Sequence, residues 1–246
     1  MLSDWIYTFR RCGMQTVTLT LHRFDRVAVR PWVVAQMGLS RLDMARLPGC
    51  TFWKLCGTGS GAGFSPRPNW STWAILACWE DRAAAEAGLA AQPYRRWAAR
   101  ADAVRTIVLE PAQARGQWSG RTPFAPDGNR PIEGPVAALT RATIRPRHLA
   151  RFWARVPDIH EAILSDMNVT FRIGLGEVPW LHQVTFSIWP DARTMADFAR
   201  ADGPHMRAVR AVRAGDWFSE ELYARFAVIE MRGAWPDETS DLPRAA

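Results

Sequence analysis

The expected first strand runs from Thr16 to Phe24, and from Thr16 to His22 it alternates strictly. Val17, Leu19 and Leu21 are apolar, while Thr18, Thr20 and His22 between them are polar. A period of two is that of a strand with one face buried. A corresponding strand is expected from Val136 to Ile144. Each run leads into a stretch of helical period, near Arg30 to Arg46 in the first case and near Pro146 to Ile163 in the second. Short apolar runs predict a second strand (Phe52 to Cys56; Val169 to Ile173) that enters a glycine-containing turn. A third strand follows (Ser71 to Trp79; Gln183 to Trp189), then a second, broken helix, and a fourth strand closes each set (Ala103 to Leu109; Tyr223 to Met231).

The two sets also share residues. Trp79-Glu80-Asp81 matches Trp189-Pro190-Asp191, and Gln92-Pro93-Tyr94 matches Gly203-Pro204-His205. Gly57-x-Gly59 matches Gly174-x-Gly176, and Arg115-Gly116-Gln117-Trp118 matches Arg232-Gly233-Ala234-Trp235. Offsets run from 110 (Trp79 to Trp189) to 117 (Gly57 to Gly174). Four ordered matches at a near-constant offset point to an internal duplication. The order β-α-β-β-α-β is the ferredoxin-like arrangement. The expected fold is therefore α+β: two tandem ferredoxin-like halves that join their sheets as a dimeric α+β barrel within one chain. Residues 14–110 form the expected N-terminal half and residues 135–235 the C-terminal half. The Pro/Gly-rich stretch 111–134 is the expected connector, with residues 1–13 and 236–246 as terminal extensions.

Composition narrows the function classes. With 246 residues, 48% hydrophobic and 22% charged, the chain is globular rather than disordered. Its longest apolar runs, such as WAILACW from Trp73, fall far short of the roughly 20 residues that span a bilayer. The start, MLSDWIYTFRRCG, makes a poor signal peptide. Four cysteines without a C-x-x-C pair fit a reducing, cytoplasmic setting. The net charge of +7 comes almost wholly from arginine and is spread along the chain. Such a surface suits anionic lipid or anionic cofactor groups, and the lack of a basic block argues against nucleic acid. Thirteen tryptophans exceed what core packing easily explains; a flat apolar ligand or a membrane interface would use the rest.

Familiar motifs fail on their context. GTGSGAGF, from Gly57, meets the loose dinucleotide fingerprint, but Phe64-Ser65-Pro66-Arg67-Pro68 follows where a helix must start. The glycines read instead as a hairpin loop. No nucleophile elbow surrounds Ser60, and no zinc-ligand spacing occurs among His22, His148, His160, His182 and His205. His205 follows Gly203-Pro204, which breaks one helix and opens another. It lies in the first turn, on the apolar side shared with Val209 and Val212. A helix N-terminus favours the neutral imidazole, whose free lone pair suits a single axial bond to haem iron. The plain alternative is a hydrogen-bonded, half-buried histidine. Arg207, Arg210 and Arg213 flank the same face, where they either meet haem propionates or form a solvated helix side.

Five stretches carry a family resemblance: QMGLSRL from Gln36, FWKLCGTGSGAGFSP from Phe52, ARGQWSGRTPF from Ala114, GLGEVPWLHQVTFSIWPD from Gly174 and WFSEELYARF from Trp217. Over roughly Met14 to Trp235 the chain resembles the spheroidene monooxygenases, carotenoid ketolases of purple photosynthetic bacteria. The resemblance implies oxygen-dependent oxidation of an acyclic carotenoid next to its methoxy end. Two hydroxylations at one carbon would give a gem-diol, which loses water to a ketone. It implies haem b as cofactor, O2 as co-substrate and a ferredoxin-type electron donor. It further implies the barrel shared with chlorite dismutase and aldoxime dehydratase, with His205 as axial iron ligand and Arg207, Arg210 and Val209 beside the cofactor. Tyr94 takes the place of His205 in the first half, so one half alone would carry the cofactor. A polyene substrate and a basic surface together lead to an expectation of peripheral contact with the inner or photosynthetic membrane. Another haem reaction on the same barrel, such as dehydration or peroxide chemistry, and a non-catalytic hydrophobic-ligand module are the rival readings.

Overall fold

The computed structural model describes residues 13–60, 65–126, 132–154, 168–200 and 215–236. Among the described residues eight antiparallel strands close a barrel, with helices packed outside it. In chain order the elements are β1 (Thr16–Arg23), α1 (Arg30–Met44), β2 (Cys50–Gly59), β3 (Pro68–Trp79), α2 (Arg82–Leu89), α3 (Tyr94–Ala98) and β4 (Ala103–Gly116). Then come β5 (Val136–Ile144), α4 (Leu149–Trp153), β6 (Phe171–Gly176), β7 (His182–Trp189), α5 (Ala192–Arg200) and β8 (Phe218–Arg232). Around the barrel the strands run β1-β3-β2-β6-β7-β5-β8-β4.

The period of two in β1 separates two faces, but both are buried, not one as the alternation predicts, because helices cover the outer side. Val17, Leu19 and Leu21 point into the barrel, where they meet Leu76 and Cys78 of β3, Ile107 and Leu109 of β4 and Phe226 of β8. His22 faces outward into a second core with Phe24, Trp73, Ile75, Trp79, Tyr94 and Trp97, covered by α1, α2 and α3. Outside the second set of strands, Val136, Trp189 and Met195 form the buried cluster among the described residues.

The repeated Trp-x-Asp has a simple local cause. Trp79 stands opposite Thr16 of β1, and Trp189 stands opposite Val136 of β5. Two residues on, Asp81 accepts a hydrogen bond from the Ala84 N–H at 2.8 Å, and Asp191 accepts one from Thr194 at 2.7 Å. Each aspartate thus caps a helix start and satisfies an otherwise orphaned amide.

Two boundaries differ from the sequence expectation. β4 continues past Leu109 to Gly116, pairing with β8, so the first residues of the expected connector are strand. Pro111 is tolerated because the register slips between Pro111 and Gln113, a bulge that removes the need for its missing N–H. The four matched glycines are not loop residues but lie in β2 and β6.

Those glycines sit where the barrel is weakest. β4 and β8 pair along almost their whole length, whereas β2 and β6 share only Gly57↔Gly176 and Thr58↔Leu175. By the pleat, Gly57, Gly59, Gly174 and Gly176 face the outer side, since Cys56 and Leu175 beside them face in.

Candidate active-site cleft

A cleft of about 140 Å³ opens over this short seam. Gly57, Gly59 and Gly176 give it a floor without side chains, and Trp70, Trp73, Trp153 and Trp180 supply its walls. Three of the indoles are fixed by their N–H groups. Trp73 donates to the carbonyl of Trp70 at 3.0 Å, Trp153 to that of Trp180 at 3.2 Å, and Trp180 to that of Pro66 at 3.0 Å. With their polar ends satisfied, the rings present flat apolar faces. Trp180 has φ +65, which sets its side chain across the β6–β7 hairpin.

Polar side chains mark the inner end. Glu177, His182 and Gln183 all line the cleft. His182 Nδ1 lies 3.3 Å from Glu177 Oε2, within ion-pair reach but off the line of a well-formed hydrogen bond. Glu177 also accepts from Trp118 Nε1 at 2.8 Å and meets Lys54 Nζ at 2.5 Å. Arg141, 1% exposed, bridges Glu177 and Glu220. Glu220 in turn accepts from the backbone N–H groups of Ser119 and Gly120, which ties the 118–121 turn over this end of the barrel. Burial alone would raise the Glu177 carboxyl, but the close approach of His182, Lys54 and Trp118 brings it down to about 2. Cys56, buried beside this network, is held as a neutral thiol, its pKa pushed up by desolvation and then by Glu177.

The outer faces of the two strand sets differ in bulk. Strand register makes Trp53 the counterpart of Arg172 and Leu55 that of Gly174, because they pair with Ala77 and Ser187, and with Ile75 and Thr185. Likewise Trp73 answers to Gln183, Thr18 to Ala138 and His22 to Ala142. Large side chains fill the first face; small or polar ones line the second.

His205, Val209, Arg207 and Arg210 lie outside the described residues, as do Val212, Arg213 and His160. The other histidines fall in separate places. His22 is buried in the first outer core against Trp97, His148 stacks on Trp217 at 6.0 Å, and His182 lines the cleft. Sequence reasoning left Trp70, Trp153, Trp180, Glu177 and Arg141 unassigned. The tryptophan excess and the GLGEVPWLHQ stretch were the available signals.

A search for family models finds no match. Whole-chain comparison is decisive. Over 224 residues, 90% of this chain and 69% of the relative, it is 50% identical to a spheroidene monooxygenase of Cereibacter sphaeroides. The chain belongs to the spheroidene monooxygenase family. Further members from Rhodobacter capsulatus (47% identical over 90% of this chain and 93% of the relative) and Rubrivivax gelatinosus (38% over 85% and 80%) agree. Among solved structures, an aldoxime dehydratase in complex with butyraldoxime matches at TM-score 0.63 and 10% identity, covering 89% of this chain and 80% of that one. A second aldoxime dehydratase structure matches at TM-score 0.60 and 11% identity, over 87% and 82%. At such identities the spheroidene monooxygenase chain shares their fold, and the likeness says nothing of chemistry.

Proposed function

We propose that this protein is an oxygen-dependent carotenoid monooxygenase that converts a methylene beside the methoxy end of an acyclic carotenoid into a ketone. Half the residues being identical to a spheroidene monooxygenase over 224 positions is the observation that carries this reading. The cleft supports it, because a flat glycine floor between fixed indoles suits a long, flat, apolar polyene. Two hydroxylations at one carbon each consume one O2, two electrons and two protons and release one water. The resulting gem-diol then loses water. Electrons come from a ferredoxin-type donor.

Haem b would supply the oxygen activation when bound. Its fit is tested by the two outer faces. Trp53, Leu55, Trp73 and His22 with Tyr94 and Trp97 fill the first face and leave no room for a macrocycle. At the corresponding places the second face has Arg172, Gly174, Gln183 and Ala142, and the small Gly174 and Ala142 leave space over part of the sheet for a flat group. In this reading His205 would hold the iron, and Val209, Arg207 and Arg210 would be the neighbours of the group, the arginines matching its carboxylates. Trp70, Trp153 and Trp180 bind the polyene and exclude water, and His182, turned by Glu177, and Gln183 hydrogen-bond its oxygenated end. The strand registers and paired Asp81 and Asp191 caps support a chain built from two tandem ferredoxin-like halves, residues 14–110 and 135–235. The net charge of +7 supports peripheral contact with an anionic membrane.

The test is turnover: purified protein, loaded with haem and given O2, reduced ferredoxin and spheroidene, is expected to yield a ketocarotenoid. Unchanged carotenoid under those conditions, with an intact fold and a haem absorbance band, contradicts the proposal.

A further inference from the structure

Helix α1 buries two polar residues on its inward side and exposes apolar ones on its outward side. Its inward side buries Gln36 and Ser40 with Val33 and Met44. The inward polar groups are satisfied, since Ser40 Oγ donates to Gln36 Oε1 at 3.2 Å and accepts from Trp97 Nε1 at 3.0 Å. The outward side carries Val34, Leu39 and Leu42, with Ala35, Gly38 and Ala45 between them. Leu39 is 57% and Leu42 64% exposed. A lone exposed leucine is ordinary; buried polar and exposed apolar residues on opposite sides of one helix are not.

This face borders the cleft. Met37, on the flank of α1, lines the cleft with Trp70 and Trp180, which are 49% and 54% exposed. Arg30 at the start of α1 donates to Ser71 Oγ at 3.0 Å, next to Trp70. Arg41 and Arg46 at the rim of the helix face, and Arg67 beside the cleft, are exposed cations. An apolar patch with indoles at its edge and arginines at its margin matches the layering of a bilayer surface.

We propose that the outward face of α1, with Trp70 and Trp180 at the cleft mouth, lies on an anionic lipid bilayer, so that a polyene passes from lipid into the cleft without crossing water. The passage of a polyene rests on the function proposed above; the docking surface does not.

Sedimentation with vesicles of phosphatidylcholine and phosphatidylglycerol, containing no carotenoid, tests the surface. The protein is expected to bind, less so as salt rises, and Leu39→Gln/Leu42→Gln is expected to weaken binding about tenfold or more. Thermal unfolding is expected to match the parent, because both side chains are exposed. Turnover of detergent-dispersed carotenoid is expected to be unchanged, because neither residue lines the cleft. Absence of vesicle binding by the parent overturns the proposal, as does equal binding by the variant. A parent dimer that the double variant turns into monomer, with vesicle binding unaltered, also overturns it and assigns the face to a second copy. Lipid binding lost in the variant, in a parent that makes no ketocarotenoid, leaves this surface standing and removes the function proposed above.

Discussion

Trp180 of the β6–β7 hairpin donates its indole N–H to the carbonyl of Pro66 before β3, across the seam where β2 and β6 barely pair. One side chain therefore closes the cleft wall and joins elements 114 positions apart in the chain. Trp180→Ala is expected to weaken polyene binding about tenfold while shifting thermal stability little, because the ring is half exposed. Titration by carotenoid absorbance, beside a melting curve, separates the two effects. Trp180→Phe is expected to retain much of the binding.

The seam glycines separate function from stability. A Cβ on Gly176 would fall 2.7 Å from the carbonyl oxygen of His182, which backbone cannot easily give up. Gly176→Ala is expected to cost about 1–3 kcal/mol in denaturant unfolding. A Cβ on Gly57 would meet the Trp73 ring at 3.5 Å, an ordinary contact. Gly57→Ala is expected to keep its stability and yet bind the polyene more weakly, because a methyl group rises from the flat floor.

Part of the barrel was legible because the barrel-facing side of a strand shows as alternation, as in Val17, Leu19 and Leu21; that the other side of β1, with Thr18, Thr20 and His22, is buried as well was not legible. The matching Asp81 and Asp191 were legible as a repeat, and the structure supplies their reason as helix caps. β4 was cut short because Pro111 reads as a breaker; a bulge, invisible in sequence, accommodates it. The cleft was not legible. Trp70, Trp153 and Trp180 come from separate elements, and only closure of the β2–β6 seam brings them together. The glycines were visible but their purpose was not, since the absence of side chains matters only once a wall surrounds it.

Burial holds the His22 imidazole far below its ordinary value of 6.5, at about 3. The folded form stays neutral while the unfolded chain takes up a proton below pH 6.5. Stability from this site is full above that pH and falls toward pH 3, by about 1.4 kcal/mol per unit. Unfolding free energies between pH 7 and 4 are expected to fall less steeply in His22→Phe than in the parent.

The barrel-end ion network is expected to resist single cuts poorly. Arg141→Met removes the buried cation shared by Glu177 and Glu220, while Lys54 and the Ser119 and Gly120 N–H groups remain, and is expected to cost about 1–3 kcal/mol in denaturant unfolding. The Glu177 contribution is present above its unfolded value of 4.5 and is lost as pH falls toward about 2. Glu177→Gln is expected to remove that acid limb and to loosen the orientation of His182, seen as weaker binding of oxygenated polyenes relative to hydrocarbon ones.

His205 carries the cofactor proposal. His205→Ala is expected to lose the haem absorbance band of the purified protein, with added imidazole restoring part of it by supplying the missing nitrogen. His22, His148 and His182 substitutions are expected to leave the band largely in place. An unchanged band in His205→Ala, with loss in His182→Ala, would move the cofactor to the cleft wall.

Oxygen insertion into the polyene is the central claim, and isotopically labelled dioxygen tests it most directly. With haem, reduced ferredoxin and spheroidene, mass spectrometry is expected to find the heavy isotope in the carbonyl of the ketocarotenoid. In the proposed two-step reaction both hydroxyl oxygens of the gem-diol would come from O2, so loss of either leaves the label. A ketocarotenoid carrying oxygen from water, under conditions where its carbonyl does not exchange, or no oxygenated product at all, contradicts the account.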